Sequence, residues 1–158
     1  MHIKSKKSNM NPYRHLRIAI CNDHAGYELK LKIVEYLLGE GATDVKDFGC
    51  HSTESCDYPD FAHPMASAIK RGEFEYGISI CGTGNGISMV LNKHFGIRAA
   101  LCWNPQIAAL ARQHNDANVL SLPARFITEE DALSMLDVFF MTKFEGGRHQ
   151  TRIDKINQ

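Results

Sequence analysis

Cys81-Gly82-Thr83-Gly84-Asn85-Gly86 is the stretch whose residue types and spacing could do chemistry. Glycines at alternate positions let backbone amides approach a ligand closely, and a helix starting just behind them would aim further unpaired N–H groups at the same point. An anion would be held there. Cys81 stands at the mouth of this loop, where a helix N-terminus favours a thiolate. The loop amides could also hold the oxyanion of an enediolate, formed when a proton leaves a carbon next to a carbonyl. A base beside an oxyanion hole is the equipment of an isomerase. The plainer alternative is a tight strand-to-helix turn whose cysteine is a small buried hydrophobe. Two familiar phosphate loops do not fit. No Lys-Ser/Thr follows, as a P-loop needs, and the third glycine falls one residue early for the dinucleotide fingerprint. Trp103 then stands at the end of the next strand, where a ribose-binding carboxylate would be required, so NAD is disfavoured.

The elements that must position this loop follow from hydrophobic periodicity. Short apolar runs predict strands at residues 17–21, 44–48, 76–81, 98–103 and 118–122. Helical spacing of Leu29, Ile33, Tyr36 and Leu37 predicts a helix after the first strand, with Glu28 and Lys32 as a favourable pair and Gly39 and Gly41 at its end. A second helix is expected over residues 61–70, its start confined by Pro64, and a third from Ile87 to His94. Asn104-Pro105 supplies an N-cap and first helical residue for a fourth helix. Thr128 caps a fifth, whose stripe of Ala132, Leu133, Leu136, Phe139 and Phe140 is expected to run to a stop at Gly146-Gly147. Strands alternating with helices predict an α/β fold: one Rossmann-like, three-layer αβα domain with a five-stranded parallel sheet and a C-terminal helical tail. Ligands of such folds sit at the carboxyl ends of the strands, which is where Cys81 falls.

Composition narrows the setting. The 158 residues suit one domain, and 44% apolar with 23% charged residues is ordinary for a globular protein without a membrane span. Eighteen basic residues balance eighteen acidic ones, so no global field attracts nucleic acid or an anionic membrane. Five cysteines, an odd count in a chain too large to need staples, read as thiols in a reducing cytoplasm. Residues 1–14, with Lys4, Lys6 and Lys7 and no apolar run, are expected to be a flexible extension ahead of a domain over 15–158.

With these pieces in place, the sequence resembles the ribose-5-phosphate isomerase B and galactose-6-phosphate isomerase group of sugar-phosphate isomerases. The resemblance runs from Arg17 to about Ile156. It is carried by Asn22-Asp23-His24-Ala25-Gly26, Asp57-Tyr58-Pro59, Ile80-Cys81-Gly82-Thr83-Gly84-Asn85-Gly86-Ile87, Asn92-Lys93, Gly96-Ile97-Arg98-Ala99, Arg112-Gln113-His114-Asn115-Asp116 and Gly146-Gly147-Arg148-His149-Gln150. It implies an aldose-ketose isomerase that uses no metal and no cofactor. Cys81 takes the proton from C2, Gly82, Gly84, Asn85 and Gly86 surround the enediolate, and Thr83 shuttles a proton between its oxygens. His114 resembles the residue that opens the furanose ring. Asp23, His24, Tyr58 and Asn115 match ligand-contacting positions, and Arg125, Arg148 and Arg152 those that hold the phosphate, with His24 as helper. Some members carry a glutamate after the loop; here Ile87 stands there, so the cysteine version applies. The resemblance further implies a homodimer, often paired into a tetramer, with His114, Asn115 and the C-terminal arginines reaching the site from the partner chain.

The residues agree in part with that reading. Arg148 and Arg152 are four apart, so a helical turn places both on one side to grip a phosphate, although a solvated cationic face has the same spacing. The HND segment and the Gly-Gly-Arg-His tail favour ribose 5-phosphate over galactose 6-phosphate, with allose 6-phosphate or a tetrose phosphate as alternatives. Cys50-His51, Cys56 and His63 invite a metal reading, but they lack the tight paired spacing of zinc sites. A non-catalytic ligand-sensing domain on the same fold is the remaining rival.

Overall fold

The computed structural model describes residues 11–157. The described residues form five strands and six α-helices. In chain order these are β1 (Arg17–Asn22), α1 (Tyr27–Gly39), β2 (Asp44–Asp47), α2 (Pro59–Lys70), β3 (Tyr76–Cys81) and α3 (Asn85–Leu91). There follow β4 (Ala99–Leu101), α4 (Pro105–Asn115), β5 (Val119–Pro123), α5 (Glu129–Met141) and α6 (Arg148–Asp154). All strand pairs are parallel, in the order β2-β1-β3-β5-β4. This is the expected α/β sandwich, and its switch point lies between β1 and β3, from which the chain winds to opposite edges.

Alternation along the strands divides the core. Ile18, Ile20, Ile78, Ile80, Leu120 and Leu122 face one side and meet α1, α4 and α5 through Ile33, Leu37, Ala108, Leu136 and Phe139. Ala19, Cys21, Cys81 and Val119 face the other and meet α2 and α3 through Met65, Ala66, Ile87 and Leu91. The edge strand β2 is charged and largely exposed, which discourages pairing with a further strand.

Three local expectations are corrected. Residues 11–14, expected to belong to a flexible extension, are part of the fold: Tyr13 is 1% exposed, stacks edge-on against Tyr36 and Phe140, and donates to the Asp137 carboxylate. An aromatic ring with a satisfied hydroxyl outweighs the polar start of the chain. The rest of that segment, residues 1–10, lies outside the described residues. The second helix begins at Pro59 rather than at 61 and carries Pro64 inside it, because a proline at N1 suits a helix start and the inner one forfeits a single hydrogen bond. The fifth helix stops at Met141, where Thr142 turns extended and its hydroxyl bonds the Val138 carbonyl at 2.6 Å. Gly146 and Gly147, at φ 69° and 58°, instead turn the chain into α6. The caps at Asn104 and Thr128 form as expected, the latter as a capping box with Asp131.

Several protonated groups are sealed in this core. Burial first, then the Asp47 charge, pushes the Cys21 thiol far up; burial pushes Cys102 up to about 12. Burial and then the Asp137 contact raise the Tyr13 hydroxyl well above its ordinary value. Folded values above unfolded ones mean that the unfolded chain releases these protons first. The stability the two thiols confer is complete below their unfolded value of about 8.5 and declines as pH rises, by about 1.4 kcal/mol per pH unit for each thiol, while the contribution of Tyr13 starts to decline only above about 10. Urea midpoints measured near pH 7.5 and near pH 10 are therefore expected to fall at the higher pH; an unchanged midpoint contradicts the assignment.

Candidate active site

Three neighbouring strands, β1, β3 and β5, deliver the site loops to one end of the sheet. Asp23, just beyond β1, is tied to β3 by its amide, which donates to the Ile80 carbonyl at 3.1 Å. Its carboxylate accepts from the Gly26 amide at 3.2 Å, which leaves Asp23 only 7% exposed beside Cys81. His24 follows, and its Nδ1 accepts the Cys56 amide at 3.2 Å, so the ring's hydrogen resides on Nε2. Beyond β5, the amides of Ala124 and Arg125 donate to the carbonyls of Cys81 and Gly82 at 2.9 and 3.1 Å. That bonding lays Arg125 along the glycine loop: a side-chain carbon added to Gly82 would lie 3.1 Å from the Arg125 guanidinium.

The loop is shaped for close approach. Gly84 adopts φ 74° and any side chain there would overlap Leu101, while one on Gly86 would overlap the ring of Tyr58, which covers the loop from the start of α2. Cys81 ends β3 with 4% exposure, and its sulfur accepts the Gly84 amide hydrogen at 3.2 Å. Thr83 and Asn85 point outward, and the Asn85 amide donates to the Thr83 hydroxyl at 3.3 Å. Among the expected site residues, Asp23, His24, Tyr58, Cys81, Gly82, Thr83, Gly84, Asn85, Gly86 and Arg125 are thus gathered around the glycine loop at the switch point.

His114, Asn115, Arg148 and Arg152 are not brought there. The helix α4 starts where β4 ends and runs back along the sheet; eleven residues at about 1.5 Å each carry His114 roughly 15 Å away, to the amino ends of the strands. Arg98 and Arg112 cap that end, bonding the carbonyls of Asn115, Asp116 and Ala117 at 3.0, 2.8 and 2.6 Å. There α6 packs against α4 and sets Arg148 and Arg152, both exposed, one helical turn apart. The expected site residues therefore fall into two groups at opposite ends of the sheet.

Two further residues, His149 and Glu145, join the second group. His149 stacks on His114, ring centroids 4.2 Å apart and 12° from parallel, and its Nε2 lies 3.5 Å from the Glu145 carboxylate. The four-residue spacing of Glu145 and His149 was the available signal. Ligand atoms of His114, Glu145 and His149 lie within 4.8 Å of one another. Lone pairs of stacked rings run side by side instead of converging, and Arg148 and Arg152 flank them, so the cluster is poorly arranged for a cation. Cys50, His51, Cys56 and His63 form no such group among the described residues. Cys50 and Cys56 instead line the loop behind Asn22 and His24.

A hollow of about 540 Å³ between α1 and α5 does not suit a phosphate, being lined by Glu28, Glu35 and Glu129 against a single Lys32. No helix among the described residues is long and apolar enough to cross a membrane.

The profile of the ribose/galactose isomerase family matches residues 18–156. The chain belongs to this family. This isomerase is 46% identical over 140 residues to ribose-5-phosphate isomerase B of Escherichia coli, covering 89% of the chain and 93% of that relative. The crystal structure of a ribose 5-phosphate isomerase from Thermotoga maritima superimposes with a TM-score of 0.88 at 51% identity, over 90% of this isomerase and 97% of that chain. Ribose-5-phosphate isomerase B from Mycoplasma genitalium, solved with bound ribulose-5-phosphate, gives a TM-score of 0.84 at 45% identity, over 90% and 94% of the two chains. The chain is thus an aldose-ketose isomerase built on this family's α/β fold.

Proposed function

We propose that this isomerase interconverts ribose 5-phosphate and ribulose 5-phosphate through an enediolate, at sites completed by a second copy of the chain. The observation that carries the chemistry is the Cys81 sulfur at the switch point, with the Gly84 amide donating to it at 3.2 Å. That amide is the kind of donor an ionised sulfur accepts. Proton transfer from C2 breaks a C–H bond and forms S–H; the electron pair moves into a C1–C2 double bond, and the carbonyl oxygen becomes the oxyanion that the amides of residues 82–86 receive. Returning the proton to C1 completes the isomerisation, with the exposed Thr83 hydroxyl moving a proton between the oxygens. Asp23 and Tyr58 line the sugar, and the phosphate lies against Arg125 and Nε2 of His24. The reaction so written needs no metal.

The two half-sites support assembly. Ring opening needs a proton donor at the sugar-ring oxygen, and His114 of the same chain is at the wrong end of the sheet. A second copy that docks its α4 and α6 ends over the glycine loop supplies His114, Asn115, Arg148 and Arg152 together. Apolar side chains suited to such a contact are exposed on α3 and on the segments that follow β4 and β5: Met89, Trp103 and Phe126 are 65%, 55% and 73% exposed. The test is turnover of ribose 5-phosphate by chelator-treated protein in heavy water. Deuterium appearing at C2 of recovered ribose 5-phosphate supports the enediolate; turnover with no exchange points to direct hydride transfer. A preference for allose 6-phosphate or a tetrose phosphate in the same assay overturns the choice of substrate.

A further inference from the structure

We infer that His149, held by Glu145, is a positioning residue for His114, acting as the flat surface that keeps the ring-opening imidazole in one orientation. The inference rests on the reading of His114 as the ring-opening acid. A half-buried histidine in the last turn of a helix has two freely turning bonds, and a proton donor displaced by about 1 Å can cost on the order of 10²-fold in rate. The structure removes that freedom from one side. His149 is 7% exposed, lies 4.2 Å beneath His114 and is 12° from parallel with it.

His149 is itself anchored at several points. The Glu145 amide donates to the Gln113 carbonyl at 3.1 Å, tying the tail to the end of α4 at the residue before His114. The left-handed pair Gly146 and Gly147 then turns the chain so that α6 starts beneath that end, and the His149 amide bonds the Gly146 carbonyl at 3.1 Å. The Glu145 carboxylate, 3.5 Å from Nε2, orients the ring. The charges facing His149 are His114 from α4, Glu145 from the preceding loop, and Arg148 and Arg152 from its own helix. Burial first, and then His114 and Arg148, lower its pKa against the opposing pull of Glu145. That direction favours the uncharged form of His149 beneath His114. A neutral ring lies face to face with an imidazolium at no charge cost, whereas two imidazoliums would repel.

The test compares a substrate that must be opened with one that need not be. Ribose 5-phosphate is cyclic. Ribulose 5-phosphate cannot close a five-membered ring, because its carbonyl is at C2 and its C5 oxygen carries the phosphate; exchange of its C1 hydrogen with heavy water reads proton abstraction alone. His149→Ala is expected to lower kcat/KM for ribose 5-phosphate by about 10- to 100-fold, while C1 exchange from ribulose 5-phosphate stays within about twofold. His149→Phe, which keeps a flat ring in place, is expected to recover most of the loss, and Glu145→Gln to fall between. NMR supplies a readout independent of turnover: the ring-current shift of the His114 imidazole protons disappears in His149→Ala and persists in His149→Phe. Equal losses on both substrates, no loss on either, or a phenylalanine variant no better than alanine each overturns the inference. A fully active His114→Ala protein, or an unaltered chain that ignores ribose 5-phosphate, overturns the functional reading instead. In that event the NMR shifts still report whether the stack exists.

Discussion

Cys81→Ala and Cys81→Ser proteins are expected to keep their fold and lose turnover of ribose 5-phosphate by about 10²- to 10⁴-fold, the range that removal of a general base produces. Serine is the sharper variant. It nearly preserves the volume at a position with 4% exposure, so packing against Ile87 and Leu91 changes little, yet its hydroxyl does not ionise in the range where a thiol does. Deuterium exchange at C2 should fall in parallel with turnover, since one group performs both. Inhibition by inorganic phosphate should stay within about threefold, because the groups assigned to the phosphate do not involve sulfur. Cys21→Ala provides the contrast: that thiol has 0% exposure, its proton is held on by burial, and its replacement is expected to cost stability while sparing kcat. A Cys81→Ser protein retaining more than about a tenth of the activity would remove the thiol from the mechanism.

Mixing two inactive chains is expected to restore activity. Cys81→Ala disables the half-site at the carboxyl ends of the strands, and His114→Ala the half-site at the amino ends. If each complete site takes one half from each copy, a mixed dimer holds one site with both defects and one with neither. Equal amounts exchanged at random make half of the dimers mixed, so about a quarter of the normal number of sites should work. Neither chain alone should exceed its own residual rate. Refolding the chains together, with a different affinity tag on each, allows the mixed species to be isolated and assayed. Activity no greater than the sum of the two parents would show that each chain completes its sites alone. The roughly 15 Å run of α4 between the two groups of residues is the reason complementation is expected.

Much of this site is legible along the chain because its pieces are local. A glycine loop directly after an apolar run announces a strand, a turn and a helix, and the structure places Cys81, Gly84 and Gly86 accordingly, with Gly84 at φ 74°. Asp23 and His24 follow the first strand in the same way. Other features are read imperfectly for identifiable reasons. Pro64 suggests a later helix start because the cost of one lost hydrogen bond is visible in sequence, while the packing of Ala62, Met65, Ala66 and Ile69 that offsets it is not. Gly146-Gly147 reads as a helix stop because glycine ends helices, but here it opens the next one. Tyr13 sits in a polar stretch, and nothing nearby in sequence discloses that Asp137 accepts from it.

By itself, then, the order of residues determined the element types, the alternating strand faces and the loops at the strand ends, because each follows from contacts within a few residues and from the fixed periods of helix and strand. Only the tertiary structure decided which of those loops meet. Strand order, β2-β1-β3-β5-β4, brings Asp23, Cys81 and Arg125 side by side although they are far apart in the chain. The direction of α4 sends His114 to the opposite end, where folding lays it against His149. Those neighbours are chosen by burial of the whole sheet, a non-local quantity that no short stretch of sequence contains.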